Sequence, residues 1–276
     1  MAGVKLHRRG PLREGLKRFR RWWRRWRADV HLISYPKCGR TWLVLLIAEA
    51  LQSHYGIRKR NPLRLREFQS RRFGIPYIHQ HHDGGPEFLL PEELERDKSH
   101  YAGRKVILLV RDPRDVFVSS YFQKLKRNYN YEGSMQEYLK ERRGGVESIV
   151  EFYNIWADQI SVPDDFLLVT YEDLHADTAG ELRRVLQFVG LPEVGDDAIV
   201  QAVESCSFNR MRELEANNVY RTGALSARDR SDLNSYKTRE GRVGGYSRHL
   251  DEPSVAEIDG MIDAQLDTMY ERYRLR

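Results

Sequence analysis

Cysteine is scarce in this chain, with Cys38 and Cys206 the only two among 276 residues. That is too few for a disulfide-stapled secreted scaffold, and no Asn-x-Ser/Thr acceptor site accompanies them; both fit a reducing cytoplasm. No apolar run approaches the roughly 18–20 residues of a membrane span. The basic N-terminus leads into tryptophans and arginines instead of the apolar stretch of a signal peptide. There is no internal repeat and no G-x-x-x-x-G-K-[ST] nucleotide loop. His79, Gln80, His81 and His82 form a histidine cluster, but no further Cys or His completes a metal-ligand set, and alternation along a strand sends His81 and His82 to opposite faces. The formal charge of +6 is concentrated at one end: residues 5–27 hold eleven Lys or Arg and one acid, leaving 35 basic and 39 acidic residues elsewhere. The charge thereby argues against nucleic acid as a partner, since the rest of the chain carries no matching basic signal.

What is present starts with Tyr35-Pro36-Lys37-Cys38-Gly39-Arg40-Thr41-Trp42, set between an apolar strand and the apolar helix Leu43–Leu51. A strand, a tight loop and a helix N-terminus bring unpaired backbone N–H groups and the positive end of a helix dipole to one point, which suits a phosphate or sulfate. A second strand, Lys105–Val110, runs into Arg111-Asp112-Pro113, with Ser119 eight residues after Arg111. If Asp112 and Pro113 open a helix, the arginine and the hydroxyl can converge on one phosphate.

The first loop resembles the Tyr-Pro-Lys-Ser-Gly-Thr-Thr-Trp loop of the soluble, cytosolic-type sulfotransferases that use 3'-phosphoadenosine 5'-phosphosulfate (PAPS). Further segments follow in that family's order. The resemblance implies that Arg111 and Ser119 hold the 3'-phosphate, that Tyr171 approaches the adenine, and that Phe208, in Cys206-Ser207-Phe208, stacks on it. It also implies that Arg239-Glu240-Gly241 closes on the 3'-phosphate, and that the loop from Lys37 and Cys38 through Gly39, Arg40, Thr41 and Trp42 binds the 5'-phosphate. Aligning the family's Lys-Thr-His with Gln80-His81-His82 makes His82 the general base, an imidazole suited to titration near neutrality. The implied reaction is in-line sulfuryl transfer to an acceptor hydroxyl with release of PAP. Lys37 meets the charge on the leaving oxygen, and no metal is invoked.

Three departures from the family pattern carry expectations. Gln80 replaces a lysine, so an auxiliary cation must come from elsewhere. Arg40 replaces a threonine and could select an anionic acceptor. Cys38 replaces a serine, and its place beside Lys37 and a helix N-terminus predicts a lowered thiol pKa, rapid alkylation and protection by PAP.

Leu12, Leu16, Phe19, Trp23 and Trp26 recur at four- and three-residue spacing. Residues 5–27 therefore read as a basic amphipathic helix that either docks on the domain or lies on an anionic membrane surface. If it docks on membrane, the acceptor is amphiphilic or lipid-linked and the enzyme is peripheral at the inner face.

Residues 1–28 thus precede one α/β domain over 29–276, P-loop-like, with a mostly parallel sheet. Strands are expected near 30–35, 76–80, 104–110 and 166–170, and helices near 41–55, 113–126, 146–161 and 177–189, with a last helix from Pro253 to about Tyr273. The polar stretch 217–245 reads as a mobile lid, while segments 63–77, 82–94 and 128–147 are expected to shape the acceptor cavity. Rival readings are a nucleoside or small-molecule kinase, disfavoured by the missing triphosphate motif, and a PAP-binding adaptor without turnover.

Overall fold

Four short runs build the sheet, the central two rich in Val, Ile and Leu and buried on both faces as parallel strands covered by helices are, the outer two only partly buried. In the computed structural model, which describes Trp23 and residues 26–274, they are β1 (Val30–Ser34), β2 (Ile78–His81), β3 (Lys105–Val110) and β4 (Asp165–Thr170). All pair in parallel in the order β2-β1-β3-β4, with Ile33 opposite His81 on one side and Leu108 on the other. The chain leaves β1 toward β2 and later returns to β1's other side with β3. The carboxyl ends of β1 and β3 therefore flank the point where strand order reverses, where an open parallel sheet binds its ligand.

Helix α1 (Arg40–Tyr55) follows β1 and buries Leu43–Ala48, Ala50 and Leu51. With apolar residues on nearly every side it is a core helix and not an amphipathic one. Helix α2 (Pro113–Phe122) follows β3; Asp112 caps it by accepting from the Arg114 N–H, and Pro113 takes the first helical position. The expected helix to 126 instead changes at Gln123 into a π-helical turn, Gln123–Asn128. After α3 (Met135–Leu139), α4 (Val146–Asp158) packs Tyr153 and Trp156 into the core. The helix expected near 177–189 is preceded by a separate short one, giving α5 (Tyr171–Ala176) and α6 (Thr178–Phe188); α7 (Asp196–Ser205) and α8 (Phe208–Ala216) follow.

The last helix is shorter than expected. α9 (Glu252–Gln265) ends at an extended Leu266, and a 3-10 turn occupies Thr268–Tyr273. The Asn154 side chain makes the break possible, donating to the Gln265 carbonyl at 2.7 Å and accepting from the Asp267 N–H at 2.8 Å. The amphipathic helix expected over residues 5–27 lies outside the described residues except for Trp23, Trp26 and Arg27; both tryptophans are exposed. Among the described residues no helix is long and apolar enough to cross a membrane.

Candidate active site

The loop between β1 and α1 is wound tightly enough to place Lys37 at φ 76° and Gly39 at φ 93°, both in the left-handed region. For a lysine that conformation costs about 1–3 kcal/mol and is typically found where function demands it. Gly39 has a second reason to be glycine, since a Cβ there would sit 2.6 Å from the Tyr171 ring. No side chain caps α1. Its first amide groups therefore face a cavity of about 290 Å³ at the carboxyl end of the sheet. Lys37 Nζ donates to Gln123 Oε1 at 3.1 Å, so the π-helical turn after α2 fixes the lysine across the cavity.

Arg111, one residue beyond β3, comes from the adjacent strand end. Its guanidinium lies 4.2 Å from the centre of the Tyr171 ring and donates to Asp115 at 3.0 Å and to the Arg242 carbonyl at 2.7 Å. Its Nε is buried without a hydrogen-bond partner. Asp115 also accepts from the Gly244 and Tyr246 N–H groups at 3.0 and 2.9 Å, tying the glycine-rich loop to α2. Arg239 stacks on Phe122 at 4.3 Å and pairs with Glu240, which His249 also contacts. Gly241 lies against Phe208, where any Cβ would stand 2.3 Å from the ring. Trp42 Nε1 donates to the Cys206 carbonyl at 3.0 Å.

The base side of the cavity is built by β2 and α1. His82, just past β2, places Nδ1 at 2.9 Å from the Ser34 carbonyl and Nε2 at 2.7 Å from Arg40 Nη2. Its pKa lies well below the ordinary imidazole value, first because of burial and then because of the Arg40, Lys237 and Lys37 charges. The expectation of titration near neutrality is thus corrected: the imidazole is held neutral. Gln80, at the position of the family's lysine, turns away and donates to the Leu63 carbonyl at 2.5 Å.

The cavity accordingly gathers Lys37, Gly39, Arg40, Thr41, Trp42, His82, Arg111, Ser119, Tyr171, Cys206, Phe208, Arg239, Glu240 and Gly241. Cys38 is not among its lining. Its side chain turns into the core, fully buried, with Sγ 3.4 Å from the Tyr153 hydroxyl. Burial pushes the thiol up to about 12, although the Tyr153 hydrogen bond and Arg111 act the other way. The expected reactive, PAP-shielded cysteine is therefore overturned, because nearness to a helix end in sequence does not fix which way a side chain points. Relative to an ordinary thiol near 8.5, the thiolate fraction falls roughly a thousandfold or more. Iodoacetamide labelling followed by mass spectrometry is expected to modify Cys38 more slowly than free cysteine, at a rate indifferent to PAP. Rapid labelling of native protein would contradict this burial. Cys206 is also buried, with its thiol raised.

The histidine cluster divides as alternation requires, His81 meeting His31 at 3.2 Å while His82 faces the cavity. Asp83, Glu95 and His100 do bring potential ligand atoms within 4.8 Å of one another. A lysine ammonium already occupies that place, since Lys98 Nζ sits 2.8 Å from Asp83.

Gln123, Lys124 and Lys237 escaped sequence reasoning, whereas Glu87, Phe88 and Asn128 fall within the segments expected to shape the acceptor space. Asp115 could have been found, an acid four residues after Arg111 in the first turn of α2. Lys237 could not; its ammonium is pulled down to about 8 by burial and then by Arg40 and Arg127. The stretch 217–245 does cover the cavity, but it is anchored, with Leu225, Ser235 and Tyr236 buried. Of the segments expected to shape the acceptor space, 82–94 and 128–147 contribute lining residues and 63–77 contributes none.

The sulfotransferase domain family matches residues 27–270. Cytosolic sulfotransferase 17 of Arabidopsis thaliana is 28% identical over 280 aligned positions, covering 92% of this chain and 78% of its own. Flavonol 3-sulfotransferase of Flaveria bidentis is 23% identical, covering 86% and 81%. Among solved structures, retinol dehydratase in complex with androsterone and inactive cofactor PAP superposes with a TM-score of 0.63 at 17% identity, covering 87% of this chain and 81% of that one. Mouse sulfotransferase SULT7A1 complexed with PAP gives 0.60 at 22% identity, covering 87% and 84%. The two structures speak to the fold; the family match, spanning the sheet and every segment that lines the cavity, means that this chain belongs to the sulfotransferase domain family.

Proposed function

We propose that the protein is a cytoplasmic enzyme that transfers the sulfuryl group of PAPS to the hydroxyl of a small or amphiphilic acceptor. One observation carries the reading: four cations from three separate segments, Lys37, Arg111, and Lys237 with Arg239, surround one cavity. Lys37 is held well below its ordinary pKa by burial, then by Lys237 and Arg127. Such a cluster is relieved by a polyanion and by little else. The partnerless Arg111 Nε and the uncapped end of α1 fit the same ligand. The relatives named as PAP complexes support the choice of nucleotide.

In this reading Arg111, Ser119 and Arg239 hold the 3'-phosphate, Tyr171 and Phe208 flank the adenine, and the amides of Arg40 and Thr41 face the 5'-phosphate. Lys37 stabilises charge on the leaving oxygen, and His82 takes the acceptor's proton. Exposed Phe88 at the cavity rim offers apolar contact to the acceptor.

Calorimetric titration with PAP, adenosine 5'-phosphate and metal-free ATP tests this. A 3'-phosphate met by charged hydrogen bonds is expected to strengthen binding by about 1.5–3 kcal/mol over adenosine 5'-phosphate, roughly ten- to hundredfold. Equal affinities would overturn the assignment in favour of the kinase. PAP binding without transfer of label from PAPS to any acceptor would leave the adaptor.

A further inference from the structure

The residue assigned as base is already occupied. A guanidinium has only protons to give, so in the 2.7 Å contact between Arg40 Nη2 and His82 it is Nε2 that accepts. The Nδ1 proton goes to the Ser34 carbonyl. Assigned from these partners, the imidazole has no lone pair left for the proton of an acceptor hydroxyl. The arginine has reason to leave. Its other terminal nitrogen, Nη1, is buried without a hydrogen-bond partner, as is Oε2 of Glu87. The carboxylate whose charge acts on Arg40 is that same Glu87. Two unpaired buried groups thus flank a hydrogen bond that must break before His82 can act.

We propose that Arg40 is a releasable cap on His82, drawn off Nε2 by the sulfuryl group of the donor so that the base is uncovered only when the donor is in place. This rests on the PAPS-dependent reading above. Once Nε2 is free, the acceptor's O–H proton passes to it as the acceptor oxygen bonds to sulfur. The bond from sulfur to the 5'-phosphate oxygen breaks, and PAP leaves with that electron pair. Arg40 acts through His82 and is a positioning residue. The groups that face His82 are Arg40 from α1, Ser34 from β1, Lys37 from the loop and Lys237 from the covering segment. All three cations disfavour imidazolium, and the capped Nε2 reinforces them.

Nitrogen-15 NMR of labelled histidine, with His82 identified by the resonance missing from His82→Asn, tests the cap in three states of the wild-type protein: free, with PAP, and with PAPS but no acceptor. The hydrogen-bonded Nε2 signal is expected to persist with PAP and to move toward that of a free imidazole nitrogen with PAPS. In Arg40→Thr the uncapped signal is expected from the start, with the His82 titration and the acid limb of kcat/KM both displaced upward toward about 6.5. Identical Nε2 signals with PAP and PAPS would overturn the proposal, and so would an unmoved titration in Arg40→Thr. The wild-type comparison stands even where the variant does not fold. Calorimetry run alongside separates the two readings, since absence of PAP binding would fail the sulfotransferase assignment itself.

Discussion

His82→Asn is expected to lower kcat by about 10²–10⁴-fold, the usual contribution of a positioned general base. The substitution is a clean one. An asparagine amide can still donate toward the Ser34 carbonyl that holds Nδ1 at 2.9 Å, but it offers no basic lone pair where Nε2 stands. The residues assigned to the nucleotide lie on other segments, so PAP affinity by calorimetry should stay within a factor of about three. A parallel loss of PAP binding would mean that the variant had disturbed the cavity instead of the chemistry. Retention of kcat would move the base elsewhere. The pH profile gives a second check. Burial and the three neighbouring cations depress the His82 pKa, so the basic form persists below the ordinary value of about 6.5. For the wild type, kcat/KM should therefore stay flat through the ordinary imidazole range and fall only in more acidic solution. A limb centred near 6.5 would show that His82 is not held neutral.

The legible part of this protein was its strand ends. Lys37 and Arg111 follow runs whose β-branched and aliphatic content marks a buried strand, while His82 follows the shorter and more polar Ile78–His81; ligand-binding residues of a parallel sheet sit at such ends by geometry. Illegible was everything decided by the direction of a side chain or by a contact distant in sequence. Cys38 and Arg40 are two residues apart on one loop, yet one enters the core beside Tyr153 and the other enters the cavity beside His82. Gln80 was read as a lost cation, and Arg40 stands against the base in its place. The π-helical turn after Phe122 follows ordinary helix formers, and nothing in its sequence announces that Gln123 reaches Lys37. The covering segment lacks periodicity, and its order comes from a side-chain pair 88 residues apart, Arg127 and Glu215.

That pair predicts the largest stability effect. Glu215 is fully buried and accepts from Arg127 at 3.0 Å, from the Lys237 and Thr238 N–H groups at 2.5 and 2.9 Å, and from the Thr238 hydroxyl at 2.7 Å. Arg127 in turn donates to the carbonyls of Ser226 and Ser235 at 3.0 and 2.6 Å. Glu215→Ala leaves a buried guanidinium unpaired and is expected to cost about 3–5 kcal/mol. A buried ion pair can often be exchanged for apolar residues at little cost, but here Glu215→Met with Arg127→Met should not recover the loss. The exchange would strand two backbone donors and three backbone acceptors, the carbonyls of Gly223, Ser226 and Ser235, that the pair now satisfies. Because the pair holds the segment over the cavity, the damage should be local first. Trypsin is expected to cut the variant at Arg221, Arg228 or Arg230 under conditions in which the wild type is intact. PAP affinity should fall with it, since Lys237 and Arg239 adjoin the released contacts. Global unfolding in urea without earlier nicking would instead make the pair part of the main core, and an unchanged urea midpoint would remove it from any role in holding the segment.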